Sequence, residues 1–380
     1  MGNAMKTKKP KWTPKNAGSE FTSKVVDGLE MKKDDNYTYE NKRKMEKKIR
    51  KKLTVDDYVK GVLENDRTLL ARTITLIESN SNKHMKVAQQ VIKKLLPDTG
   101  NSIRIGVTGV PGAGKSTFIE ALGSYLTKKG HKIAVLAVDP TSSLSRGSIL
   151  GDKTRMEKLA KDDNCFVRPS PSGGNLGGVT RKTRETILAC EAAGYDVVLI
   201  ETVGVGQSEI TVRSMVDFFL LLKIAGAGDE LQGIKKGIIE IADAILINKA
   251  DGPNKENAEV ARAEFERALH YLTNSTKGWE TKVKTCSALN STGIKETWQM
   301  IKDYIDLTKE SGYFRKKRKE QLKDWLHELL KESILNLFYS DSDISEKMKK
   351  VESQVVKGEI PTTTAVKKML DVFQSKFSEN

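Results

Sequence analysis

Residues 109–116 read Gly-Val-Pro-Gly-Ala-Gly-Lys-Ser, which is the G-x-x-x-x-G-K-S pattern of a phosphate-binding loop. An apolar stretch at residues 103–107 predicts a strand before the loop, and an amphipathic stretch at residues 117–129 predicts a helix after it. In that setting the glycines let backbone N–H groups surround phosphate oxygens, and the helix dipole attracts the anion. The sequence therefore predicts an α/β fold of the P-loop nucleoside triphosphatase type.

Two side chains of this loop are expected to act on the nucleotide directly. Lys115 is predicted to reach the β- and γ-phosphates, and Ser116 to bind Mg²⁺. The other nucleotide-binding candidates of the loop are Gly109, Gly112, Ala113, Gly114 and Thr117.

A second motif, Asn248-Lys249-Ala250-Asp251, follows the apolar run at residues 244–247 and favours guanine as the base. The Asp251 carboxylate can accept hydrogen bonds from N1–H and the amino group of guanine. Adenine offers neither donor, so the carboxylate would be poorly paired. Asn248 and the stem of Lys249 are expected to hold the loop against the base. Ser287, Ala288 and Leu289 follow another strand candidate and are predicted to present a backbone N–H to the guanine oxygen.

Apolar stretches alternate with amphipathic ones between residues 99 and 309, which is typical of βαβ units. The strand candidates are residues 103–107, 133–138, 196–200, 216–222, 244–248 and 281–286. Since helices separate most of them, we expect a mostly parallel, doubly wound sheet with its functional loops at the carboxyl ends of the strands.

Three further regions flank this predicted GTPase domain at 99–309. Residues 1–52 form a lysine-rich polar tail, residues 53–98 predict a small helical region, and residues 310–380 predict a helical arm. The arm carries a broad apolar stripe that includes Leu322, Trp325, Leu326, Leu329, Leu330, Ile334, Leu337 and Phe338. This stripe predicts either packing on the rest of the chain or dimerisation.

Acidic residues at or near predicted strand ends suggest a metal site. Asp139 and Glu201 end strand candidates, and Asp152 lies in a loop-then-helix segment. A Mg²⁺ ion prefers oxygen ligands and keeps several waters, so not all three acids can bind it beside Ser116 and two phosphate oxygens. Gly204, three residues after Glu201, is expected to offer its N–H to the γ-phosphate.

Composition excludes several classes of protein. No apolar run reaches the roughly 20 residues that a membrane-spanning helix needs. The N-terminus lacks the apolar core of a secretory signal, and the three cysteines (Cys165, Cys190, Cys286) form no disulfide framework. These features predict a cytoplasmic protein. The four scattered histidines argue against a zinc or nickel store.

The net charge of +15 lies largely in the tail, because residues 1–53 carry sixteen Lys and Arg against seven Asp and Glu. Such a tail could contact nucleic acid or anionic lipid, or it could be a solvated arm. Its basic runs at residues 42–52 contain no interleaved aromatic residue for base stacking, and the acidic residues of the tail argue against a mitochondrial transit peptide.

The set of motifs resembles the MeaB/ArgK family, which includes the human methylmalonic aciduria type A protein. The resemblance is carried by residues 109–116, 138–142, 151–156, 173–178, 201–209 and 248–251, and it covers the chain from about residue 53 onward. It implies a homodimeric GTPase that accompanies an adenosylcobalamin-dependent acyl-CoA mutase and couples GTP hydrolysis to cofactor delivery and mutase protection.

The resemblance also implies roles for the segments between the nucleotide motifs. Residues 139–152 include switch I, residues 201–209 begin switch II, and residues 224–235 match a third switch that faces the mutase, with Asp229 and Lys235 as its charged candidates. Arg155 is a candidate for stabilising charge during hydrolysis. Cobalamin itself is expected to be held by the partner.

Three rival functions remain open at this point. A nickel-insertion GTPase shares the P-loop logic but would be expected to carry a Cys/His cluster. A kinase linked to basic amino-acid transport matches the label of some relatives. A nucleic-acid-binding module would use the basic tail.

Overall fold

The computed structural model describes residues 53–138, 156–169, 176–202, 208–226, 236–272 and 276–378. From Thr54 onward these residues belong to one compact unit. The division of that unit into helical and GTPase regions stays a prediction.

Three helices precede the sheet: α1 (Val55–Leu63), α2 (Arg67–Glu78) and α3 (Asn82–Leu95). Thr54 and Asp57 form a reciprocal capping box at the start of α1, and Asp66 accepts two backbone N–H bonds at the start of α2. Each of these two helices therefore begins at a side-chain N-cap. The buried faces of the three helices pack against α6 (Leu176–Ala192), which follows β3.

The sheet has seven strands, and each strand pair in it is parallel. The strands are β1 (Ile103–Gly109), β2 (Ile133–Val138), β3 (Cys165–Arg168), β4 (Val197–Thr202), β5 (Phe218–Ile224), β6 (Ala244–Asn248) and β7 (Lys282–Thr285). Their order across the sheet is β3-β2-β4-β1-β5-β6-β7. The predicted fold class is confirmed, although the sequence did not predict β3.

The remaining helices connect and cover the strands. They are α4 (Lys115–Thr127), α5 (Glu157–Lys161), α7 (Ser208–Arg213), α8 (Lys236–Ile241), α9 (Lys255–Leu269) and α10 (Ile294–Glu310). Side chains alternate between the two faces of each strand, so the sheet separates two apolar cores. One core contains Phe219 and Ile245 with α1–α3 and α6–α9, and the other contains Phe218 and Leu246 with α4, α5 and α10.

Three C-terminal helices complete the chain: α11 (Tyr313–Ser340), α12 (Ser342–Val356) and α13 (Thr362–Ser378). The last two share a small core with Phe338 of α11. Along α11, by contrast, Leu322, Leu326 and Leu330 are exposed by 56%, 65% and 54%. The described part of the chain therefore leaves much of the predicted apolar stripe uncovered. No helix in that part is long and apolar enough to cross a membrane.

Candidate nucleotide-binding site

The phosphate-binding loop lies between β1 and α4, at the carboxyl edge of the sheet. Gly109 has φ +152°, and a Cβ there would overlap the carbonyl oxygen of Leu222 on β5. Gly114 has φ +86°, and a Cβ there would lie 2.7 Å from Nδ2 of Asn248. Glycine is therefore required at both positions, for its conformation and for its lack of a side chain.

Lys115 is the first residue of α4, two residues before the predicted helix start. Its side chain lies inside the loop, where Nζ donates to the carbonyl oxygens of Gly109 at 2.8 Å and Val110 at 3.2 Å. The ammonium is thus held where phosphate oxygens would lie against the helix N-terminus.

Two of the predicted metal-binding residues meet in the structure. Ser116 Oγ donates to Oε1 of Glu201 at 2.9 Å. Glu201 is 7% exposed and lies within β4, where it pairs in register with Val107 of β1. A hydroxyl and a carboxylate oxygen are the donor types that Mg²⁺ prefers, so this pair fits the predicted ion.

The strand that carries Glu201 is held to the loop strand by a second polar contact. Thr202 Oγ1 lies 2.9 Å from Oγ1 of Thr108, and both residues are buried. This contact, which the sequence did not predict, fixes the end of β4 beside the end of β1.

Asn248 links the phosphate-binding loop to the predicted guanine motif. Its Nδ2 donates to the carbonyl of Ala113 at 2.8 Å, and its Oδ1 accepts from the N–H of Ala288 at 3.0 Å. The side chain also accepts from Sγ of Cys286 at 3.5 Å, and burial raises the pKa of that thiol to about 12, so it stays protonated. Asn248 is 1% exposed. The sequence predicted that Asn248 holds its loop against the base. Its hydrogen bond to the phosphate-binding loop is seen only in the structure.

The rest of the guanine motif lies at the ends of β6 and β7. Lys249 adopts φ +59°, and Ser287 Oγ donates to Oδ2 of Asp251. Leu289 is 80% exposed. Asp251 and Ser287 are thus in contact, and Ala288 is tied to Asn248, while their role in binding a base stays a prediction.

A cavity of about 620 Å³ runs along α4, where Thr117, Glu120 and Ser124 line one side and Ala288 and Leu289 line another. The described residues that line it include none of 109–116 or 248–251, so the cavity is not formed by the two motifs themselves.

Four predicted site residues lie outside the described residues: Asp139, Asp152, Arg155 and Gly204. The same holds for Asp229 and Lys235 of the predicted third switch. Within the described ranges, no group of three or more His, Cys, Asp or Glu side chains could hold a metal ion.

Comparison with known proteins agrees with these motifs. The family model described as Methylmalonyl Co-A mutase-associated GTPase MeaB matches residues 70–343. The chain belongs to the MeaB family of GTPases. The predicted family and the predicted enzyme class are therefore confirmed.

Individual relatives match over 80% or more of their own length. A probable GTPase of Mycobacterium tuberculosis is 46% identical over 84% of this chain and 95% of its own. The GTPase ArgK of Escherichia coli is 44% identical over 85% of this chain and 98% of its own. The mouse methylmalonic aciduria type A homolog, a mitochondrial protein, is 43% identical over 85% of this chain and 80% of its own.

A solved structure has the same fold. The crystal structure of a protein named LAO/AO transport system kinase superposes with a TM-score of 0.69 and 39% sequence identity, covering 84% of this chain and 97% of that protein. This name corresponds to the kinase alternative considered above. Experiment must decide between that alternative and the others.

Proposed function

We propose that this GTPase binds GTP and Mg²⁺, hydrolyses GTP, and acts as a chaperone for an adenosylcobalamin-dependent acyl-CoA mutase of the methylmalonyl-CoA type. The observation that carries the nucleotide part is the hydrogen bond of 2.8 Å between Asn248 and the carbonyl of Ala113. It joins a phosphate-binding loop and a guanine motif into one site. The mutase part rests on family membership.

The proposed roles of the residues follow from their positions. Lys115 places a positive charge at the β- and γ-phosphates and compensates the charge that develops on them during hydrolysis. Ser116 and Glu201 hold Mg²⁺, which supplies neutralisation of phosphate charge when bound. Asp251 selects guanine, and the backbone N–H groups of the loop orient the phosphates. Asp139, Asp152, Arg155 and Gly204 are proposed to complete the site.

The same family membership supports a homodimer. The exposed leucines of α11 supply an apolar face of the kind that monomeric proteins rarely leave uncovered. We propose that a second copy covers this face.

The chaperone proposal is tested by titrating methylmalonyl-CoA mutase against GTP turnover. We expect faster hydrolysis and a complex whose affinity differs between GDP and a non-hydrolysed GTP analogue, because a partner that distinguishes two nucleotide states must change nucleotide affinity in return.

Joint substitution of Asp229 and Lys235 is the matched control. It should remove the stimulation by the mutase and leave intrinsic hydrolysis nearly intact. If the mutase neither stimulated hydrolysis nor bound differently in the two nucleotide states, the chaperone proposal would be wrong. Transfer of phosphate to a protein or a small molecule would favour the kinase function instead.

A further inference from the structure

A second cavity, of about 500 Å³, lies beside β3, the strand at one edge of the sheet. Three arginines line it: Arg67 and Arg72 of α2, and Arg168 at the end of β3. No acidic side chain is among its lining residues in the described part of the chain. Since β2 and β4 separate β3 from β1, which leads into the phosphate-binding loop, this cavity lies apart from the proposed nucleotide site.

Two of the three guanidinium groups already have partners in the fold. Arg67 donates from Nη2 to the carbonyl oxygen of Cys165 at 2.8 Å, and its Nη1 lies 3.7 Å from the carboxylate of Asp163. Arg168 bonds both carboxylate oxygens of Glu78. These contacts hold both side chains in position, and two acids compensate two of the three positive charges.

Arg72 supplies the charge that is left over. Its side chain is exposed, and it makes no hydrogen bond or ion pair with any residue that the structure describes. A guanidinium is always charged and presents several N–H donors in a fixed plane. Three positive charges around one cavity also repel each other, and a bound anion would relieve that repulsion.

The rest of the lining is largely apolar. Phe166 and Val167 of β3 line the cavity together with Ala71 of α2 and Ala160 of α5. Phe166 is 7% exposed and belongs to the core, so this wall is firmly held. Apolar walls with a few polar groups that fix orientation are usual for small-molecule sites, and the volume is also in their range. A bare ion would use only the arginines, so an organic anion fits this lining better.

A peptide strand is the competing occupant, because β3 is an edge strand. The carbonyl of Asn164 accepts from the N–H of Ile133 on β2 at 2.8 Å, so the carbonyl of Cys165 faces away from β2. Arg67 already bonds that carbonyl. In the four-residue strand this leaves only Val167 with outward backbone groups that could pair with an added strand. A small molecule is therefore favoured over a peptide.

We propose that this cavity binds a small organic phosphate, that is, a phosphomonoester joined to an apolar or aromatic group. Arg72 donates to the phosphate oxygens, because guanidinium and phosphate form paired, charge-assisted hydrogen bonds. Arg67 and Arg168 add positive charge, and the organic group lies against Phe166 and Val167. The site is independent of the proposed nucleotide function and adds a second ligand to it.

The test uses the full-length protein with adenosine monophosphate as the probe, and adenosine and inorganic phosphate as its two halves. Calorimetry measures the three affinities. We expect the probe to bind at least about tenfold more tightly than either half, because each half reaches only the apolar wall or only the arginines. Arg72→Gln should weaken the probe about tenfold, a usual size for a hydrogen bond to a charged group. Arg72→Lys keeps the charge but loses the planar fork, so it should weaken the probe less.

Three controls locate the binding. Lys86→Gln removes an exposed positive charge of α3 that does not line the cavity and should leave the probe's affinity unchanged. Lys115→Ala should weaken GDP and spare the probe, whereas Arg72→Gln should weaken the probe and spare GDP. Bound probe should also protect Arg72 from modification by phenylglyoxal, as read by mass spectrometry, while the exposed Arg267 of α9 stays reactive.

Each contrary result has a separate meaning. Absence of binding, or equal binding of the probe and inorganic phosphate, would overturn the proposal. Loss of the probe in Lys115→Ala but not in Arg72→Gln would put it in the phosphate-binding loop and would also overturn it. A glutamate-rich peptide that bound through Arg72 more tightly than the probe would mean that the cavity recognises an acidic protein segment instead. A protein that bound the probe through Arg72 but bound no guanine nucleotide would support this site and refute the proposed function.

Discussion

The two ends of the sheet are built differently. At the carboxyl end, single hydrogen bonds such as that of Asn248 to Ala113 link the loops. At the amino end, ion pairs are buried and doubly bonded, as between Arg318 and Asp217 and between Arg213 and Asp243. The first arrangement joins loops to one another, whereas the second fastens α11 to the sheet. The proposed nucleotide site and the anchoring of α11 thus lie at opposite ends of the sheet.

Substitution of Asp251, the residue proposed to recognise guanine, should give the largest effect. It should change nucleotide affinity at the carboxyl end and leave the amino end unaffected. Asp251→Asn should lose affinity for GTP by about 10⁴-fold and gain affinity for xanthosine triphosphate, because xanthine has a carbonyl where guanine has its amino group. Calorimetry with both nucleotides measures this exchange. Equal binding of ATP and GTP by the wild-type protein would contradict the assignment of Asp251.

Removing the central acid of the amino end should affect stability instead. Asp243 is fully buried and accepts from Arg213 at 2.8 Å, from the N–H of Phe219 at 2.9 Å and from Thr276 at 3.1 Å. Asp243→Asn leaves Arg213 without its buried counter-charge, which typically costs about 3–5 kcal/mol in the free energy of unfolding.

Urea denaturation measures this loss, and an exposed ion pair provides the control. Glu259→Gln breaks a surface contact with Arg262 and should cost at most about 1 kcal/mol. Similar losses in the two variants would remove the distinction between buried and exposed pairs.

At the carboxyl end, Lys115→Ala should slow GTP hydrolysis by about 10²–10³-fold and weaken nucleotide binding, because it removes a preorganised positive charge. Glu201→Ala should mainly slow turnover and alter its dependence on Mg²⁺. Single-turnover hydrolysis over a Mg²⁺ series separates the two variants, and the unfolding free energy of each should stay near that of the wild type. Wild-type rates in both would refute these roles.

The smallest effect concerns Lys317, which lies 3.9 Å from Asp243. Burial lowers the pKa of Lys317 to about 8, despite its attraction to Asp243 and Asp217. The unfolded chain therefore binds more protons between pH 8 and the ordinary lysine pKa, so this group makes stability rise with pH in that window.

Lys317→Met should remove that rise. The difference in unfolding free energy between variant and wild type should change by on the order of 1–3 kcal/mol between pH 7 and pH 10. Denaturant titrations at the two pH values measure it, and parallel pH profiles would show that the buried amine does not titrate.

Local patterns were enough to predict the nucleotide end of the fold. The loop and the guanine motif are short and contiguous. The backbone conformations that they need depend on single residues, such as the positive φ of Gly114. The strand β3 was missed because it has four residues, Cys165–Arg168, and ends in a charged one. Its strand state comes from pairing with β2, which no local pattern reveals.

The amino end could not be predicted for a related reason. The basic run at residues 315–319 reads as a solvated helix face, yet Lys317 and Arg318 are largely buried because their acidic partners Asp217 and Asp243 lie far away in the chain. The sequence contains both sets of charges, but only the fold decides which of them meet. The exposed leucines of α11 show the converse limit: the sequence predicts an apolar stripe that needs cover, and the described residues leave these side chains exposed.

The central place of β1 in the sheet affects how the protein can be made. Its two neighbours, β4 and β5, both follow it in the chain. At about 5–20 residues per second, a ribosome needs on the order of 5–20 s to add the roughly 95 residues between Ile103 and Val197. During that interval the strand that leads into the phosphate-binding loop has emerged without a neighbour on either side. The nascent chain therefore cannot form its nucleotide site until more than half of it has been translated, and it exposes an unpaired apolar strand to chaperones until then.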